Sequence, residues 1–297
     1  MIAVGLVGAG AVGQSIGTAL AASGLCSRLL LTSRTQDQAR ALADDLDDLV
    51  SATGARARTG TCNVMGLRDV DAIVIAVRAR FTNTHSTDVR MAGSAANAPT
   101  VRGLAHMLRG YEGTVFMVTN PVDLMTRLFN EESGCTRVFG IGSNLDSARY
   151  RIAVARLLDV PREAVHGHVI GEHGDAAVIC ASSTTVNEEP ISVPLSEVRA
   201  ELISRPGRIN AGIGRTRCGP AGAVLSALAL ALGHRDGTTE LSTAHDGIWH
   251  GIPLRFTAGQ PIPCLPRLDP TEAQLLDAAR SKLHSAYANI TPPERTS

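Results

Sequence analysis

The chain has no excess of either charge. Its 28 Lys and Arg match 28 Asp and Glu, so no net field draws it to nucleic acid or to an anionic membrane, although local clusters can still bind anions. It has no Cys-x-x-Cys pair, and none of Cys26, Cys62, Cys135, Cys180, Cys218 and Cys264 has a His at metal-ligand spacing. Reduced, mostly buried thiols are expected, with no metal site and no disulfide framework. It also has no apolar run long enough to cross a bilayer: the longest, AVLSALALAL at 223–232, suits a buried helix. The opening MIAVGLVGAG lacks the charged region and cleavage site of a signal peptide, and a soluble, cytoplasmic protein is the expectation. Without internal repeats or low-complexity linkers, the 297 residues suffice for two domains or for one with an appended lobe.

What the chain does have is concentrated between residues 140 and 175, where GIGSNLDSARYR is followed by VIGEHGD. Asp146 and Arg149 lie three apart on a predicted helix and so share a face, while His173 falls in a Gly-flanked turn. An Arg fork can clamp a carboxylate bidentately, and an Asp can hold one ring nitrogen of a His so that the other faces a substrate. These are the parts of a proton-transfer site for a small anion. At the N-terminus an apolar run enters GAGAVG, with Gly8, Gly10 and Gly13 in dinucleotide-binding spacing and Ala11 and Val12 as cofactor contacts among them, before the helical stretch SIGTALAASG. The glycines permit a tight turn, close approach of backbone to a pyrophosphate and close helix packing. Strands are expected at 28–34, around ARARTGTC, at 71–77, within 113–125 where a strand runs into a turn, and at 137–142, and their alternation with helices predicts a doubly wound parallel sheet.

The four motifs GAGAVG, VTNPVD at 118–123, LDSAR and GEHGD together resemble the L-lactate/malate dehydrogenase family, in the family's order and over nearly the whole chain. The resemblance implies an α/β protein: a Rossmann-type dinucleotide-binding domain over residues 1–143, then an α+β substrate domain over 144–297. It implies an NAD(P)-dependent oxidoreductase that transfers a hydride between a nicotinamide cofactor and a small 2-keto or 2-hydroxy acid, assembled as a homodimer or homotetramer. His173 would exchange a proton with the substrate oxygen, Asp146 would fix its tautomer and favour the charged ring, and Arg149 would hold the substrate carboxylate. Asn120, at the carboxyl end of the fifth strand, would bind the substrate hydroxyl and help hold the cofactor.

Arg90, seven residues before the Asn97 that begins NAPTV, matches the family's catalytic loop arginine, and Asn97 is carried over as a cofactor contact. The loop departs from the family pattern, since Ala76-Val77 replaces the usual Ala-Gly and two or three extra residues are present. Six positions before Arg90, where the family discriminates substrates, stands Thr84. It offers no cation, but Arg78 and Arg80 lie just upstream, and either could hold a second anionic group if the loop brought it inward. A non-standard 2-keto acid is therefore expected, with malate or lactate dehydrogenase proper as the alternative. A nicotinamide-dependent glycosidase and a non-catalytic nucleotide-binding protein remain further alternatives. Where an NAD enzyme presents an acid at the end of the second strand, this chain reads Thr32-Ser33-Arg34. Loss of the repulsive charge and gain of a cation both favour a 2′-phosphate, so NADP is expected over NAD.

Overall fold

A computed structural model describes residues 2–82 and 88–291. The first half alternates strand and helix: β1 (Ala3–Val7), α1 (Ala11–Ser23), β2 (Arg28–Thr32), α2 (Gln36–Thr53), β3 (Arg58–Thr61), β4 (Ala72–Ile75), α3 (Ser94–Met107), β5 (Thr114–Met117), α4 (Val122–Ser133) and β6 (Val138–Gly140). These six strands pair in parallel in the order β3-β2-β1-β4-β5-β6, so the direction of winding reverses between β1 and β4. A crevice opens there at the carboxyl ends of the strands. Both faces of the sheet are covered, as continuous apolar strands require. Side chains alternate between the two faces along each strand. Val74 and Phe116 join one core with Ile16, Leu20 and Leu46, while Ile73, Ile75, Val115 and Met117 join the other with Val101, Leu104 and Leu128.

The second half contains α5 (Ser143–Leu158), β7 (Val165–His166), β8 (Val169–Gly171), β9 (Ala177–Ile179), β10 (Thr185–Val186), β11 (Glu189–Pro190), α6 (Leu195–Ile213), α7 (Cys218–Ala231), β12 (Gly237–His245), β13 (Ile248–Thr257), β14 (Gln260–Pro263) and α8 (Pro270–Ala288). Here the pairing is antiparallel: β12, β13, β8 and β9 extend the main sheet beyond β6, and β7, β10 and β11 form a small separate sheet. α8 begins with a capping box between Asp269 and Glu272, the signal its sequence carries.

Several local expectations are corrected. The stretch RINAGIGRTRCGPAGAVLSALALALG reads in sequence as a long helical region, but it divides between two helices, because Gly214 adopts a left-handed φ of 82° and its N–H closes on the Asn210 carbonyl. Such a turn ends a helix. Asn97 does not open its helix, which starts at Ser94. His168, whose alternation with His166 along a strand reads in sequence as surface-facing, is half-buried with Nδ1 2.6 Å from Glu240 Oε1, an oxygen that Arg151 Nη1 also reaches at 3.1 Å. Glu240 is buried on β12, and a buried carboxylate draws in whatever cations and donors its surroundings offer.

Candidate active site

The nucleotide turn has the tightness its glycines suggest. A Cβ on Gly13 would stand 1.8 Å from the Gly8 carbonyl oxygen, and Gly8 itself has a φ of 116°. Beyond Gly10 the space is open. α1 starts without a side-chain cap, so the N–H groups of Ala11 and Val12 in its first turn point to that space with no side chain to satisfy them. Gly8 N–H donates to the Thr32 carbonyl at 2.8 Å and Ala9 N–H to Ser33 Oγ at 3.3 Å, which brings the end of β2 beside the turn. Ser33 Oγ donates on to Gln38 Oε1 at 3.2 Å. Arg34 is exposed, and its Nη2 donates to the Arg78 carbonyl at 3.4 Å. A cradle that any Cβ would fill, with open space before it, fits the diphosphate of a dinucleotide.

At the end of β5 the buried Asn120 Oδ1 has no partner among the described residues. A buried amide oxygen left unpaired is an open position for a donor. Asn97 differs: its Oδ1 accepts from Ala79 N–H at 2.8 Å and its Nδ2 donates to the Asn120 carbonyl at 2.7 Å. Both ends of its amide bind backbone, so it works as a strut between the start of the loop and the end of β5.

The proton-transfer group lies across the crevice. His173 follows β8, and its ring packs on Gly142, where a Cβ would stand 2.4 Å from the imidazole. Only glycine at 142 lets the ring approach the start of α5. Asp146, in the first turn of α5, accepts from His173 Nδ1 at 2.5 Å, which leaves Nε2 as the nitrogen available to a substrate. Arg149 Nη1 is 3.6 Å from Asp146 Oδ1. All three residues are buried.

Burial pushes the Asp146 carboxyl up, but His173, Arg90 and Arg149 together outweigh it and hold it below its usual range. His173 is pulled down by its own burial and by the Arg90 charge, more than Asp146 raises it. Asp146 does favour the charged ring, as expected, but burial and the Arg90 and Arg149 charges outweigh it. In the structure the carboxylate fixes a ring held toward its neutral form.

Arg90 acts electrostatically on His173, Asp146 and Arg149, so these four residues come together. Arg78 and Arg80 do not join them. Both are exposed, and Arg78 lies over the Phe81 ring at 4.8 Å, on the side of the loop that Arg34 touches. Thr84 lies outside the described residues. Four contributors escaped the sequence reading. Asp123 Oδ2 accepts the His173 backbone N–H at 2.8 Å, and burial, aided by Glu172 and Asp146, pushes its carboxyl up to about 7. Arg205 on α6 adds a second positive charge near Arg149. Glu172 and Lys282 meet beside the His173 turn at 2.9 Å. Asp123 sits within VTNPVD and Glu172 within GEHGD, so only Arg205 and Lys282 had no motif to betray them.

Residues 2–140 match the family profile described as lactate/malate dehydrogenase, NAD binding domain, and residues 143–203 that of the lactate/malate dehydrogenase alpha/beta C-terminal domain. The chain is 30% identical over 196 residues to "L-lactate dehydrogenase 3" of Bacillus cereus, covering 65% of this chain and 62% of that protein. It is 32% identical over 190 residues to "L-lactate dehydrogenase" of Lactococcus lactis subsp. cremoris, covering 63% of this chain and 60% of that protein. The chain therefore spans less than two thirds of the length of these curated relatives. In fold it is similar to a lactate dehydrogenase from a Medee basin deep-sea metagenome library, with a TM-score of 0.89 at 21% identity over 97% of this chain and 98% of that one. It is likewise similar to malate dehydrogenase from Plasmodium falciparum, with a TM-score of 0.89 at 20% identity over 98% of each chain. With both halves of the family's profile matched in order over most of its length, the chain belongs to the lactate/malate dehydrogenase family.

Proposed function

We propose that the protein is an NAD(P)-dependent L-2-hydroxy acid dehydrogenase that interconverts a small 2-keto acid and its 2-hydroxy acid. The observation that carries this reading is the buried His173–Asp146 pair, at 2.5 Å, with Arg149 and Arg90 beside it. Gly8, Gly10, Gly13, Ala11 and Val12 would hold the cofactor diphosphate, and Asn120 the region between cofactor and substrate. A nicotinamide bound there supplies the hydride. The chain's own residues do the rest. Arg149 holds the substrate carboxylate, Arg90 stabilises negative charge growing on the reacting oxygen, and His173 Nε2 gives a proton to that oxygen in reduction or takes it in oxidation. A dinucleotide-binding domain over 1–143 and a substrate domain over 144–297 would place the two ligands on opposite sides of the crevice.

The substrate is proposed to be non-standard, because the loop after β4 departs from the family pattern at Ala76-Val77 and in its length. Pyruvate, oxaloacetate, branched keto acids and phosphonopyruvate assayed side by side should show one of the latter two preferred. Efficient turnover of pyruvate or oxaloacetate would instead make the protein a lactate or malate dehydrogenase proper. A homodimer or homotetramer is proposed on the family's pattern, which sedimentation can test. A cytoplasmic location agrees with six free cysteines, since reducing compartments keep thiols unpaired.

NADP is proposed over NAD. Arg34 is exposed at the end of β2, with Ser33 next to the nucleotide turn and no acid before Asp37. An exposed Arg gains from a phosphate, whereas a ribose hydroxyl needs no cation. Titration should show NADPH bound more tightly than NADH, by about tenfold, a difference of about 1.4 kcal/mol. Arg34→Ala and added salt should both erase that difference. A tenfold preference for NADH would refute the assignment.

A further inference from the structure

Arg90 stands near His173, yet it belongs to the connection between β4 and α3, whose described residues form no helix or strand before Met91. Something must hold it there. Asp88, two residues before it, has a left-handed φ of 49°, and its carbonyl accepts from Met91 N–H at 2.8 Å and Ala92 N–H at 3.3 Å. Asp88 is thus the foot of the turn that carries Arg90. Its own N–H donates to Asp175 Oδ2 at 2.8 Å. Its carboxylate takes a hydrogen bond from Lys282 Nζ, and the same ammonium donates to Glu172 Oε2 at 2.9 Å.

Lys282 lies on α8, distant in sequence from both partners, while Glu172 is 1% exposed and immediately precedes His173. Glu172 Oε2 also accepts the Ala176 N–H at 2.9 Å, so it braces the turn that contains His173. One ammonium with several donors can bridge two carboxylates, a task for which its compact charge is suited. Its own charge is reinforced in return, for the bonds to Asp88 and Glu172 more than offset its partial burial.

We propose that Lys282 is a positioning residue of the active site, which pins the foot of the Arg90 turn to the His173 turn and thereby sets where Arg90 stands over the His173–Asp146 pair. Its consequence for turnover rests on the dehydrogenase reading above; its consequence for the loop does not. Asp88→Asn keeps a residue that tolerates the left-handed conformation and leaves the Lys282–Glu172 contact in place. It removes the charge from the arm to the loop and so weakens that arm alone.

Hydrogen exchange on the full chain, without substrate, reads the loop directly. Amides of Met91 and Ala92 should exchange roughly tenfold faster in Asp88→Asn and in Lys282→Gln, and near the parent rate in Lys282→Arg, while β5 and the middle of α8 stay unchanged. In turnover, kcat should fall without a change in cofactor affinity, and the loss should shrink when Arg90→Gln is already present, because both changes remove the same contribution. Unchanged exchange at Met91 and Ala92 in both variants would overturn the proposal, as would faster exchange spread evenly through α8 and β5. A parent protein that turns over no keto acid would count against the dehydrogenase reading, and the exchange experiment would still decide the role of Lys282.

Discussion

His173→Asn is expected to lower kcat for keto-acid reduction by about 10²- to 10⁴-fold, the range a positioned general acid contributes, with cofactor affinity nearly unchanged. The substituted amide fits the space of the ring and can still meet Asp146, but it cannot carry a proton to the substrate. The pH profile should report the same group. Burial and Arg90 hold His173 below its ordinary value, and reduction needs the protonated ring. Thus kcat/KM for reduction should fall as pH rises through a free-enzyme value below that of an ordinary histidine. In the oxidative direction, which needs the neutral ring, the limb should rise with pH through the same value. Arg90→Gln removes one of the charges that disfavour the imidazolium, so it should move this limb to higher pH while lowering kcat. Profiles measured in both directions check the sign. A limb that stays in place, or shifts to lower pH, would show that Arg90 does not act on His173.

Arg149→Lys is expected to raise KM for the keto acid by about a hundredfold, since a lost bidentate, buried charge-assisted contact is worth about 2–3 kcal/mol, whereas the Kd for the cofactor stays within about twofold. The physical reason is shape, because charge is conserved. The planar fork presents two parallel N–H donors to a carboxylate, and an ammonium on a flexible stem presents a point charge. Arg149 also sits 3.6 Å from Asp146, so a shorter reach there would loosen the carboxylate that orients His173 and lower kcat in addition. Substrate saturation curves combined with cofactor titration separate these effects. Equal weakening of both ligands would mark a folding defect instead, which thermal unfolding of the variant would reveal.

The parts legible in the sequence were those whose chemistry is local. GAGAVG could be read as a nucleotide turn because the need for glycine arises within the turn itself: Gly13 would collide with Gly8, five residues away. Asp146 and Arg149 could be paired because helical geometry places them on one face. The alternation of apolar strands with helices likewise determined a doubly wound sheet, since each parallel strand must be buried on both faces.

Tertiary structure alone decided the rest. The charge state of His173 depends on the balance of burial, Arg90 and Asp146, groups from three separate elements, and no motif encodes that sum. Arg78 and Arg80 could have reached inward; both are exposed, and Arg78 lies over the Phe81 ring. Asn97, expected as a cofactor contact, also braces the loop, because each end of its amide finds a backbone partner. His168 and Lys282 likewise took their places because distant carboxylates, Glu240 and Glu172, are buried where no water can solvate them. A motif specifies what a side chain can do; burial and the partners supplied by remote segments decide which of those things it does.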